Sequence, residues 1–390
     1  MQFFEKELNE LSQKGLLRTL KRIDSAQGPK VIIDGKEVIL LSSNNYLGLA
    51  NHERVKEAAI NAIERYGLGS GASRLISGNM SLHEELEERI AKFKGKDEAL
   101  LFNSGYTANI GIIPAIIGKG DFIYSDELNH ASIIDGSRLS RAEIRVYPHK
   151  DTNALEYLLK RDNGRKLIIT DTVFSMDGDI APLKEIYDLS QKYSAILMVD
   201  EAHATGVLGK KGRGGLEHFG IEDKDIIQMG TLGKALGAFG AYVTGSKGLI
   251  GYLRNKSRSF IYTTSLPPSI AAAAIEAIKI IEEDGSLIKG LWNNRKIFVE
   301  GLHSLGFDTL NSENPIIPIF IGETYKAMKM AELLFEEGVF APAIRPPTVP
   351  EGSSRIRTTV MATHTREDIE KALRAFRKLI PLIPPLAKGD

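Results

Sequence analysis

AILMVDEAHATGVLG (residues 195–209) and IIQMGTLGKALGAFGAYVT (residues 226–244) are the stretches from which the fold is read. Each opens on a short apolar run with little polar alternation, Ala195–Val199 and Ile226–Met229, and then turns polar or glycine-rich. Strands buried on both faces of a mostly parallel sheet read this way. Five more runs read as strands, several of them with the same lack of polar alternation: Ala99–Phe102, Phe122–Tyr124, Ile144–Tyr147, Leu167–Thr170 and Ala241–Thr244. Helix-like segments lie between them. His83–Lys94 places Leu86, Ile90 and Phe93 on one stripe, and Pro182–Tyr193 begins with proline at a helix start. The alternation predicts a doubly wound α/β domain on a mostly parallel, seven-stranded sheet.

The tail has a different rhythm. Leu291–Leu305, Thr324–Glu337 and Arg366–Leu379 read as helices, and Pro315–Ile321 and Arg355–Met361 as strands. They predict a small α+β domain over 286–390, divided from a large domain (46–285) after the alanine-rich helix Ser269–Glu283. Residues 1–45 read as an N-terminal arm that packs elsewhere, on a partner subunit.

Composition narrows the function. Lysine plus arginine equals aspartate plus glutamate at 50 each, a balance that argues against a nucleic-acid partner. With no cysteine, thiolate metal sites, iron–sulfur clusters and cysteine nucleophiles are excluded. The charged start MQFFEKELNELSQKG lacks a secretory apolar run, and no stretch approaches the roughly 20 apolar residues of a membrane span. A cytoplasmic protein with no membrane partner is expected.

Open α/β sheets bind ligands beyond the carboxyl ends of their strands. Five polar segments fall there: Asn103–Tyr106, Asp126–His130, Asp171 with Ser175, Asp200–His203 and Gly230–Lys234. Lys234 sits among glycines that permit close backbone approach to a ligand. A phosphate-loop reading fails, because Gln228 and Ala235 stand where that motif needs glycine and Ser or Thr. A lysine amine there can form an imine if burial or a nearby cation lowers its pKa. Asp200 either caps a turn or keeps a pyridine nitrogen protonated, making the ring an electron sink. The letters DEAH also spell a helicase box, which no phosphate loop accompanies here. His130 and His203, with one carboxylate, are equally ordinary zinc or iron ligands. Gly105 precedes a segment (Thr107–Ile117) that reads as helix, and free amides at a helix start bind phosphate.

Taken together, SSNNYLGL (42–49), GSGASRLISGN (69–79), SDELNHASIIDG (125–136), TDTVFSMDGDIAPL (170–183), MVDEAHATGVLG (198–209), GTLGKALGAFGA (230–241) and PPTVPEGSSRIRTT (346–359) resemble the α-oxoamine synthases. The match runs in order along nearly the whole chain. It implies a fold-type I transferase that uses pyridoxal 5'-phosphate to join an amino acid to an acyl-CoA thioester, working as a homodimer without a metal. By the same resemblance, Lys234 carries the cofactor and moves the Cα proton, Asp200 faces the ring nitrogen, His203 bonds the phenolic oxygen and His130 stacks on the ring. Gly105, Tyr106 and Thr231 hold the phosphate, helped by Ser265 of a neighbouring subunit, and Ser175 contacts the cofactor. Arg357 takes the amino-acid carboxylate as a fork with Asn45 assisting, while Arg18 and Thr348 line the acyl path. The segment Ile344–Pro350 resembles the branch that joins L-alanine to a pimeloyl thioester. ELNHASIIDG and Asp171, where many members of that branch carry Glu, resemble equally the branch that joins glycine to acetyl-CoA.

Overall fold

The apolar runs sort their side chains by parity. Leu100, Ile123, Leu167, Ile169, Met198, Ile227 and Val243 are buried in one cluster with Ile112 and Ile113. Tyr124, Ile168, Leu197 and Val199 are buried in another, with Leu155, Leu183 and Ile186. Adjacent residues thus face opposite layers, and both layers are dry. That arrangement requires helices on both faces of the sheet.

The computed structural model describes residues 2–13 and 16–380. Strands β1 (Lys30–Ile33) and β2 (Lys36–Leu40) come first, then β3 (Glu98–Phe102), β4 (Phe122–Asp126), β5 (Glu143–Tyr147), β6 (Lys166–Asp171), β7 (Ile196–Asp200), β8 (Ile227–Thr231) and β9 (Ala241–Gly245). The large sheet has the order β3-β9-β8-β7-β6-β4-β5, the seven strands expected. Only β9 runs against its neighbours β3 and β8. The reason is length. Residues 232–240 are all that separate β8 from β9, fewer than the dozen or so a parallel crossover needs. The chain therefore turns straight back, and Lys234 is left on a tight loop at the carboxyl end of β8.

The remaining strands are β10 (Ile316–Gly322), β11 (Val339–Phe340), β12 (Ala343–Ile344) and β13 (Ser354–Thr359). β10, β13 and β12 form an antiparallel sheet. It is accompanied by helices Ser286–Ser304, Thr324–Glu336 and Arg366–Lys378, and residues 381–390 of the expected small domain lie outside the described residues. The first of these helices starts just past Gly285, five residues earlier than its apolar period suggests.

One correction concerns the arm. Residues 30–41 do not stand apart. β1 and β2 pair as a hairpin, and β2 runs parallel to β11, with Ile39 opposite Val339. Val31, Ile33, Val38 and Leu40 alternate into a cluster with Met361. Burying that stripe stabilises more than a free arm allows, since each fully buried aliphatic side chain contributes about 1.5–3 kcal/mol.

Candidate active site

The carboxyl ends of β3, β4, β6, β7 and β8 lie along one edge of the sheet, as their parallel directions demand. All five polar segments therefore meet there.

Asp200 ends β7, is only 3% exposed and is held on both oxygens. Asn109 Nδ2 donates to Oδ2 at 2.9 Å and the Ala202 amide to Oδ1 at 2.9 Å. Asn109 is fully buried on helix Gly105–Ile116 and also donates to Ser132 Oγ at 2.9 Å. Next to Asp200 in strict register stands Asp171 of β6. Burial first, and the charge of Asp200 second, push the Asp171 carboxyl well above the usual carboxylate range. Two adjacent buried acids do not both ionise easily. Asp171 Oδ2 still accepts the His130 amide at 2.7 Å, fixing the start of helix Ala131–Ser140.

Lys234 is half-buried, and its Nζ lies 2.9 Å from His203 Nε2. Burial lowers the amine to about 8, against the opposing pull of Asp200 and Asp171. His203 is buried. Burial, then Lys234 and Arg357, hold its imidazole well below its ordinary value, so the ring is neutral. Tyr46 Oη sits 2.7 Å from the other ring nitrogen, Nδ1. Burial raises the Tyr46 phenol to about 12, so it stays protonated. Both imidazole nitrogens are thus engaged by side chains of the protein.

Helix Gly105–Ile116 begins two residues earlier than its pattern suggests. Ser104 caps it, accepting from the Thr107 amide at 3.1 Å. Gly105 and Tyr106 therefore occupy its first turn, where amides have no helical partner. A β-carbon on Gly105 would sit 2.8 Å from the Thr231 methyl, so glycine is what lets Thr231 close against that turn.

Arg357, on β13, reaches the same edge and is 6% exposed. Its Nε donates to the Ser175 carbonyl at 2.6 Å and its Nη2 to Asn44 Oδ1 at 3.2 Å. Asn44 is the arginine's neighbour, while Asn45, expected to assist at the substrate carboxylate, keeps its Nδ2 buried without a hydrogen-bond partner among the described residues. Asn45 Oδ1 accepts the Ala50 amide at 3.1 Å and closes the turn that follows. Ser265 is not brought to Gly105 within the chain. Its hydroxyl donates to the Gly78 carbonyl at 2.5 Å. Arg18 and Thr348 are both exposed and flank Arg345, which donates to the Leu17 carbonyl at 3.2 Å, while its own carbonyl accepts the Thr348 amide at 3.1 Å. Tyr46 and Asn44 were legible only as members of the 42–49 motif, and Asn109 only as part of the helical segment 107–117. Nothing in their spacing marks them out.

Behind the Asp200–His203 turn, Lys94 and Glu201 form an ion pair whose side chains are 0% exposed. Burial opposes the charge on Lys94, yet Glu201 beside it raises the amine's pKa. Glu201 Oε1 also accepts the Leu216 amide at 3.2 Å and Gln228 Nε2 at 3.3 Å. Lys94→Met strands that carboxylate and is expected to cost about 3–5 kcal/mol of stability by urea denaturation. The double replacement Lys94→Met with Glu201→Leu recovers much of it. A single replacement costing under about 1 kcal/mol would show the pair to be dispensable.

An amine of lowered pKa, a buried acid, a neutral imidazole, a helix start and a buried arginine define an amine-handling, anion-binding catalyst. Residues 36–376 match the family model for aminotransferase class I and II. The chain belongs to that family and, within it, to the α-oxoamine synthases, fold-type I acyltransferases that use pyridoxal phosphate. It is 56% identical to the 8-amino-7-oxononanoate synthase of Thermoanaerobacter pseudethanolicus, over 97% of each chain. It is 55% identical to that of Geobacter metallireducens, over 95% of this chain and 96% of the relative. Among solved structures, a serine palmitoyltransferase variant from S. paucimobilis, with bound pyridoxal phosphate and myriocin, superposes at a TM-score of 0.92 with 32% identity, covering 97% of this chain and 98% of that one. The cofactor's functional groups find matching partners here: the lysine amine for its aldehyde, Asp200 for its ring nitrogen and the Gly105–Thr231 cradle for its phosphate. Among the described residues no helix is long and apolar enough to cross a membrane.

Proposed function

We propose that the chain condenses L-alanine with a pimeloyl thioester, giving 8-amino-7-oxononanoate, free thiol and carbon dioxide. The observation that carries this reading is the Arg357 guanidinium, buried and clamped by Ser175 and Asn44 beside the Lys234 amine. Names shared by relatives at 55–56% identity support the choice of substrates.

Pyridoxal phosphate, bound at this edge of the sheet, would supply an electron sink for the amino acid's Cα. The chain's own residues do the rest. Lys234, with an amine near 8, has enough neutral form to hold the cofactor and to take the Cα proton. His203, kept neutral and oriented by Tyr46, offers a hydrogen bond without adding charge. Asp200, braced by Asn109, presents a fixed carboxylate to the ring nitrogen. Gly105, Tyr106 and Thr231 would hold the phosphate, Ser175 would contact the cofactor, and His130 would stack on the ring. With two of its nitrogens held, the Arg357 fork has one plane in which to grip the substrate carboxylate, and that grip decides which Cα bond lies over the sink. Arg18 and Thr348 border the acyl path. A homodimer suits the placement of Ser265, which would serve the partner's phosphate site.

Thiol release decides between substrate pairs. Pimeloyl-CoA with L-alanine is expected to react faster than acetyl-CoA with glycine, measured side by side with a thiol reagent. The reverse ranking moves the chain to the glycine branch, with which Asp171 is also compatible.

A further inference from the structure

A second set of charges lies along the same edge of the sheet, at the ends of β4 and β5. His149 Nδ1 meets Asp126 Oδ1 at 2.9 Å and its Nε2 meets Asp179 Oδ2 at 2.8 Å. The ring stands edge-on to Phe174, centroids 4.4 Å apart. Its own backbone amide donates to Glu127 Oε1 at 2.9 Å. Lys150 reaches Asp179 at 3.1 Å and Glu313 at 3.3 Å.

Asp179 belongs to the turn 173–180, which is tied residue by residue. The Ser175 carbonyl accepts from Arg357. The Met176 carbonyl and the Asp177 carboxylate accept from Arg355 at 3.3 and 2.5 Å. The Gly178 carbonyl accepts from Glu313 N and from Asn314 Nδ2, each at 2.7 Å, and the Ile180 amide donates to Glu313 at 3.0 Å. Gly178 packs so closely on the Ile316 carbonyl that a β-carbon would collide with it. The turn is a bracket between the two sheets; on the large-sheet side Asp179 is held by His149 and by Lys150, and of these two His149 alone also bonds Asp126 through its side chain.

We infer that His149 is a positioning residue for the amino-acid substrate: by bridging Asp126 and Asp179 it holds the turn whose Ser175 carbonyl aims Arg357. The inference rests on the reading that Arg357 grips the substrate carboxylate. Burial opposes charge on His149, but its two carboxylate partners outweigh burial and raise it to about 9. Because the folded value lies above the ordinary 6.5, the bridge is complete below that pH and is lost as pH rises through about 9.

The test uses the cofactor-loaded, full-length protein with His149→Gln and, as a shape-preserving second variant, Asp179→Asn. We expect KM for L-alanine to rise about tenfold in both, with kcat and the thioester KM within about twofold of the parent. Propionate, which has no amine to titrate, serves as a calorimetric probe of the carboxylate site. Its affinity for the parent weakens as pH rises through about 9, whereas in His149→Gln it is weak and flat. A uniform fall in kcat and in kcat/KM for both substrates, or parent-like propionate binding in both variants, overturns the inference. A parent protein that binds propionate with this pH dependence yet releases no thiol overturns the reaction and supports the positioning role.

Discussion

Alanine at position 234 is expected to lower kcat/KM for thiol release by at least about 10⁴-fold, the upper end of what one positioned proton-transfer group supplies. The same replacement should change folding stability by no more than about 1 kcal/mol, the worth of the single hydrogen bond to His203. The contrast between the two readouts separates chemistry from folding. Cofactor uptake gives an independent check. Only a neutral amine attacks an aldehyde. At pH 7 an amine near 8 has on the order of 300-fold more neutral form than one at 10.5. Reloading of the stripped parent with pyridoxal phosphate should therefore accelerate as pH rises through about 8 and level off above it. A midpoint near 10, or a Lys234→Ala protein active to within tenfold of the parent, would remove the lysine from its role.

Asparagine at position 200 carries the second large effect. The amide matches the carboxylate in shape but has no charge to balance a cationic ring nitrogen. A loss of about 10²–10³-fold in kcat is expected, the scale for removing one preorganised electrostatic contact. Asp171 bears on the size of that loss. Its pKa is raised first by burial and then by the charge of Asp200, its register partner. Removing that charge takes away the second of the two causes and lowers the Asp171 pKa, while burial still raises it; any ionisation gained would place a second anion one strand away. Asp200→Asn with Asp171→Asn should then lose more than the two single variants multiplied together. Simple multiplicativity, measured as kcat at pH 7 and 8, would show that the two acids do not communicate.

The inner strands of the large sheet were legible because they are buried on both faces, which leaves a short apolar run with a polar end; β5, at the sheet edge, is largely uncovered and has Arg145 within its run. The lysine loop and the acid turn were legible for the same reason: a polar residue just after a buried strand has one place to go. The N-terminal hairpin was not legible as part of the small unit. Its pairing partner, Val339–Phe340, is two residues long and carries no period of its own. Asn44 and Asn45 were indistinguishable by letter. One turn of backbone sends the first to Arg357 and closes the second onto Ala50.

Residue order alone was enough to set the strand–helix alternation, the reversal of β9 and the gathering of lysine, acid and histidines at one edge, since these follow from run lengths and from the direction a strand must take. The identity of the groups that support them did not follow. Tyr46 on His203, Asn109 on Asp200, and His149 across Asp126 and Asp179 join residues far apart in the chain. No local pattern encodes such a contact. It exists because packing the layers brings those side chains within hydrogen-bonding distance, where an unpaired buried polar group would be costly.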